Sequence, residues 1–157
     1  MEYIWAPWRI AYIQEEKPKG CILCNKPAED NDEANYILFR GKHNFIMLNA
    51  YPYNPAHLLI APYRHVADLT FLDAEERAEH IEILSHCVTV LRKELNPGGF
   101  NMGANLGKVA GAGIDDHFHS HIVPRWRGDT NFVPVFADVR VLPQALADTY
   151  QALRGKF

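Results

Sequence analysis

The stretch "DDHFHSHIVPRW", residues 115–126, sets three histidines two apart, His117, His119 and His121, ahead of a Val-Pro-Arg-Trp. A β-strand has a side-chain period of two, so all three imidazoles share one face while Phe118, Ser120 and Ile122 share the other. Same-face neighbours lie about 7 Å apart along a strand, within reach of one substrate or one metal ion. A single strand histidine is usually structural. Three in register call for a chemical explanation.

The segments around this stretch read as a small sheet. "YILFR" (36–40), "NFIMLN" (44–49) and "HLLIAP" (57–62) are strand candidates, the first two separated by the short break "GKH". "AYPYNPA" (50–56) carries two prolines and is a loop. "GFNMGAN" (99–105) and "HFHSHIVP" (117–124) add a fourth and a fifth strand, joined by the glycine-rich "LGKVAGAGIDD". Between the third and fourth lies the one clear helix. Asp73 and Glu76 have capping-box spacing, Ile81, Leu84, Val88, Leu91 and Leu95 form an apolar stripe, and Pro97-Gly98 stops it. Cys87 sits beside that stripe and reads as a small buried side chain. "KPAEDNDEANY" (26–36) reads as a solvated loop or short helix, "FVPVFADVRVL" (132–142) as an edge strand, and "QALADTYQALRGKF" (144–157) as a short closing helix. The predicted fold is α+β: an antiparallel sheet of about five strands with one long helix and a short C-terminal helix.

The 157 residues, 48% hydrophobic and 22% charged, suit one domain, 1–157, with a proper core. Its arm, residues 1–19, is rich in aromatics and is expected to pack on the body or on a dimer partner. A net charge of −3 argues against a nucleic-acid polymer, which needs a basic face. Arg64, Lys108, Arg125 and Arg127 could still hold a small nucleotide. No apolar run is long enough to span a membrane and no signal-peptide pattern opens the chain, so a cytoplasmic location is expected. Three cysteines make a disulfide framework improbable, which leaves Cys21-x-x-Cys24 as a metal clip or a redox pair.

Spacing alone leaves three readings of the triad. The histidines could be structural. They could bind a catalytic zinc that makes hydroxide. Or one could attack phosphorus as a neutral nucleophile, with glycine-rich backbone N–H groups holding the charged oxygens.

The motif His117-Phe118-His119-Ser120-His121-Ile122-Val123 resembles the signature of the histidine-triad (HIT) superfamily. The likeness extends to "LNAYPYNPAHLLIAPYRHV", similar to that family's nucleoside-binding hairpin, and to "NMGANLGKVAGAG", similar to its phosphate loop. "VPRWRGDTNFVPV" resembles the branch of diadenosine polyphosphate hydrolases and phosphorylases. The resemblance, over roughly residues 20 to 135, implies that His119 attacks the α-phosphorus of a nucleotide, forming a nucleotidyl-histidine. It implies that His121 contacts phosphate and assists the leaving group, that His117 orients the network, and that His57 supports the triad from the neighbouring strand. It places Asn49 at the ribose and Asn105, Gly111 and Gly113 at the phosphates. On residue chemistry alone, Asn49 reads equally well as a strand-end turn residue.

The segment "GAGIDD" departs from many relatives in lacking a hydroxyl or amide side chain, so phosphate would rest on backbone N–H groups. Asp115 and Asp116 read as solvated turn residues that could raise a histidine pKa. Zinc-containing relatives imply a structural zinc held by Cys21, Cys24, His65 and His117. The implied substrate is a dinucleoside polyphosphate, with water ahead of phosphate as acceptor and a homodimer as the assembly. Trp126 and "FVPVF" are expected contact surfaces of that dimer. The competing functions are a metal-dependent hydrolase with the triad as ligands, and a nucleotide-binding or interaction protein with little turnover.

Overall fold

A computed structural model of the protein describes residues 19–129 and 144–157. The expected edge strand at 132–142 and nearly all of the N-terminal arm lie outside the described residues. The elements in chain order are α1 (Ile22–Ala28), α2 (Asp32–Asn35), β1 (Ile37–Arg40), β2 (Asn44–Leu48), β3 (Leu58–Pro62), α3 (Ala74–Leu95), β4 (Gly99–Gly103), β5 (Ser120–Arg125) and α4 (Leu146–Leu153). The strands form one sheet in the order β1-β2-β3-β5-β4, and every neighbouring pair is antiparallel. The expected α+β architecture is therefore present.

β2 and β3 are buried along their whole length, because both faces of the sheet are covered there. One face packs Ile46, Leu48, Leu58, Ile60 and Ile122 against Ile83, Cys87 and Leu91 of α3 and Tyr150 and Leu153 of α4. The other carries a smaller cluster, in which Leu23 of α1 meets Ile37, Phe45, Met47, Leu59 and Ala61. That second cluster anchors α1, which begins at the cysteine pair. The stretch at 26–36 thus belongs to two short helices joined by a turn.

α3 starts as expected: Asp73 accepts from the Glu76 N–H, and the Glu76 carboxylate accepts in return from the Asp73 N–H. Its buried stripe differs from the expected one. Glu76, His80, Ile83, Cys87, Val90 and Leu91 face inward, while Ile81 is exposed. Two polar members, Glu76 and His80, complete the inward row at helical spacing. Each is satisfied, Glu76 by Arg64 and the cap, His80 by Asn44 and Ser120.

β5 begins at Ser120, so His117 and His119 precede the strand instead of lying in it. The reason is a change of partner. The Phe118 N–H donates to the Val66 carbonyl at 2.6 Å, outside the sheet ladder, and this draws the incoming segment across to the loop that carries His65. The alternation of faces survives: Phe118 and Ser120 approach His80 on the helix side, and the histidines point the other way.

Candidate functional site

Each triad histidine has a backbone or side-chain partner that fixes its tautomer. His119 donates its Nδ1–H to the His117 carbonyl at 2.9 Å. The lone pair of a neutral ring then sits on Nε2, which leaves that atom able to bond an electrophile. His57, fully buried before β3, accepts at Nδ1 from the Tyr53 N–H at 3.1 Å. Its proton is therefore on Nε2, which lies 2.9 Å from His121 Nδ1 and donates to it. His121 in turn carries its own proton on Nε2. Burial, and then the nearby His119, push His121 down to about 4, so the ring is neutral at pH 7. The rings of His119 and His121 are 5.0 Å apart. A nitrogen lone pair and an N–H donor thus stand side by side, an arrangement capable of displacement at phosphorus.

His117 is turned elsewhere. Its Nε2–H donates to the Pro62 carbonyl at 2.8 Å, leaving the Nδ1 lone pair 3.3 Å from Cys21 Sγ, 3.4 Å from Cys24 Sγ and 3.2 Å from His65 Nδ1. Cys24 Sγ is 3.3 Å from His65 Nδ1, and the four ligand atoms lie within 4.8 Å of one another. Zinc–sulfur bonds of about 2.3 Å and zinc–nitrogen bonds of about 2.0–2.1 Å make tetrahedron edges of about 3.3–3.8 Å. The set fits a tetrahedral, closed zinc site. Burial first, and the Cys21 thiol beside it, push the Cys24 thiol up to about 11, so two thiolates here need a cation. Burial also lowers the His117 pKa, favouring the neutral ring that ligates metal. His65 reaches Asp116 through Nε2 at 3.4 Å, a carboxylate behind a ligating imidazole.

Among the described residues the metal cluster takes one triad histidine, not three. His119 and His121 are engaged with the His117 carbonyl and His57, which does not support the triad as a catalytic metal site. His117 joins the two centres: its ring belongs to the cluster and its carbonyl orients His119.

Asn49 closes β2 and sits beside the histidines. Its Oδ1 accepts from the Tyr51 N–H at 2.9 Å, a turn contact, while its Nδ2 lies 3.4 Å from His57 Nδ1. The turn reading and proximity to the site hold together. In the loop after β4, Asn105 Nδ2 reaches the Gly111 carbonyl at 3.5 Å. Gly111 has φ +89°, a left-handed conformation that favours glycine, and nothing crowds Gly113. Asp115 pairs with Lys108 at 3.8 Å.

Three features escaped sequence reasoning. The Pro62 carbonyl, which sets the His117 tautomer, is a backbone group and leaves no sequence signal. Tyr53 packs its ring 4.7 Å from His57 and donates its N–H to the same imidazole. Behind the triad, the Ser120 hydroxyl donates to His80 Nε2 at 2.8 Å, and His80 Nδ1–H donates to Asn44 Oδ1 at 2.8 Å.

A five-stranded antiparallel sheet that gathers His119 and His121 at the entry to one strand, with His57 bonded to His121 from the start of the neighbouring strand, defines a histidine-triad protein. Comparison with known families agrees: the HIT domain model matches residues 31–128, and the chain belongs to that family. It is 37% identical over 98% of its length to the AP-4-A phosphorylase of Mycobacterium tuberculosis, covering 83% of that protein. Among solved structures, the Caenorhabditis elegans NitFhit protein superposes with a TM-score of 0.65 at 27% identity, over 79% of this chain and 28% of that one. A zinc-bound histidine-triad family protein from Mycobacterium smegmatis superposes with a TM-score of 0.63 at 25% identity, over 78% and 83% of the two chains.

Proposed function

We propose that this protein cleaves dinucleoside polyphosphates at an α-phosphorus through a nucleotidyl group carried on His119. The observation that carries the reading is the pair of fixed tautomers: His119 has its lone pair on Nε2 and His121 its proton on Nε2. In the first step His119 Nε2 bonds to phosphorus and the bond to the bridging oxygen breaks. A phosphate leaving group is a weak base, so the His121 N–H needs only to hydrogen-bond the departing oxygen. In the second step an acceptor oxygen attacks phosphorus and His119 Nε2 departs. Asn49 is assigned to the ribose, and Asn105 with the backbone of Gly111 and Gly113 to the phosphates.

Cys21, Cys24, His65 and His117 would hold a structural zinc, which supplies geometry to the strand entry and no step of the reaction. Thiolate ligands suit the reducing cytoplasm. No helix among the described residues is long and apolar enough to cross a membrane. A homodimer is also proposed. Among the described residues β4 ends the sheet, and Leu69, Ile81, Leu84 and Met102 line an apolar groove of ≈ 360 Å³ beside it.

Likeness to a phosphorylase over nearly the whole chain favours phosphate over water as acceptor, reversing the order expected from sequence. Product chromatography with diadenosine tetraphosphate tests this. ADP plus ATP, formed only with inorganic phosphate, supports phosphorolysis. AMP plus ATP, indifferent to phosphate, supports hydrolysis. No turnover under either condition leaves a nucleotide-binding protein.

A further inference from the structure

His57 is placed by a turn that its own residues do not favour. Asn54-Pro55-Ala56-His57 closes with the His57 N–H bonded to the Asn54 carbonyl at 3.2 Å. Proline in second place and a positive φ in third are marks of a type II turn, whose third position favours glycine. Here that position is Ala56, at φ +58°, with its methyl buried in the core cluster that holds Leu48 and Leu58. A left-handed alanine persists only where its surroundings hold it. The Asn54 side chain supplies such a hold. Its Nδ2 donates to the Asp129 carboxylate at 2.6 Å and to the Pro124 carbonyl at 3.0 Å, so both N–H bonds of the amide meet acceptors. The acceptors are themselves fixed. Pro124 lies in β5 with His121, and Asp129 accepts from the Arg125 guanidinium at 2.7 and 2.9 Å and from the Trp126 N–H at 3.0 Å.

The turn bears on the histidines through the residue before it. The Tyr53 N–H donates to His57 Nδ1 at 3.1 Å, beside Asn49 Nδ2 at 3.4 Å. A backbone N–H can only donate, so while it stays there the His57 proton is on Nε2, directed at His121. The contacts thus form a closed circuit that leaves β5 at Pro124, passes through Asn54 and His57, and returns to β5 at His121. We propose that Asn54 is a positioning residue for the reaction: its clasp on Asp129 and Pro124 aligns His57 with His121. The inference rests on the reading of His121 as donor to the leaving group, and Asn54 reaches the chemistry only through His57.

The test is a double-mutant cycle of Asn54→Ala and His57→Leu, read as kcat on diadenosine tetraphosphate with inorganic phosphate present. Asn54→Ala alone should lower kcat about tenfold and move KM by less than about twofold. In the His57→Leu background the same change should alter kcat by less than about twofold, because the ring it positions is gone. An equal loss in both backgrounds, or wild-type kcat in Asn54→Ala, would overturn the proposal. Should Asn54→Ala fail to fold, combining it with Ala56→Gly relieves the left-handed backbone and keeps the cycle readable. Nitrogen-15 spectra of the histidine rings, taken without substrate, give a second readout. His57 Nδ1 should appear unprotonated and hydrogen-bonded in the wild type. It should shift in Asn54→Asp, a near-isosteric change that sets a carboxylate against two acceptors. An unchanged His57 signal would overturn the clasp. If the wild type does not turn over the dinucleotide, the proposed reaction fails, and the spectra still decide whether Asn54 holds His57.

Discussion

Lowering the pH should destabilise this protein through His80, by an amount the structure allows to be worked out. His80 is buried between α3 and the back of β5, and accepts from Ser120 while donating to Asn44. Burial depresses its pKa from 6.5 to about 4, against a smaller opposing pull from the Glu79 carboxylate. A histidine whose folded pKa is below its unfolded value binds more protons when unfolded, between those two values. Its contribution is intact above pH 6.5 and is lost progressively as the pH falls toward 4. At about 1.4 kcal/mol for each pKa unit, the window is worth about 3 kcal/mol, of which about 2 is gone at pH 5. That is a large share of a typical domain stability of about 5–15 kcal/mol. Urea unfolding at pH 7.5 and pH 5.0, on wild type and His80→Gln, isolates the effect. Protonation of His121 and of the metal ligands acts on both proteins and cancels in the difference. The wild type should lose about 2 kcal/mol more than the variant on acidification. Equal losses would refute the account of His80 as a buried neutral imidazole.

Three further outcomes follow from the same geometry. Cys24→Ser should cut zinc content, read by mass spectrometry of metals, and lower the melting temperature, because one tetrahedral ligand is lost. His57→Leu should reduce kcat by about a hundredfold at wild-type zinc content, since His121 loses the donor that fixes its proton on Nε2. Asp73→Ala should cost about 1 kcal/mol in urea unfolding with kcat/KM unchanged, because it removes a helix cap remote from the histidines.

Much of the site was legible because its residues carry local patterns. The spacing of two at His117, His119 and His121 correctly separates a histidine side from a Phe118 and Ser120 side, even though the strand itself starts later. The cluster of Cys21, Cys24, His65 and His117 assembles as the family resemblance implied. What stayed hidden depends on contacts distant in sequence. The entry to β5 is bent by the Val66 carbonyl, which no residue type advertises. The inward stripe of α3 contains Glu76 and His80, and a reading based on apolar periodicity passes over polar members. It therefore took exposed Ile81 for core. The short helix α1 was missed because a proline lies inside its seven residues. It forms because Leu23 buries completely against the sheet and outweighs that local signal.

The central claim is that His119 carries the nucleotidyl group while the metal site is structural and separate. Turnover of diadenosine tetraphosphate and zinc content should be measured side by side on wild type and His119→Ala. The account predicts that the variant loses turnover and keeps its zinc. Retained turnover, or zinc lost together with activity, would contradict it.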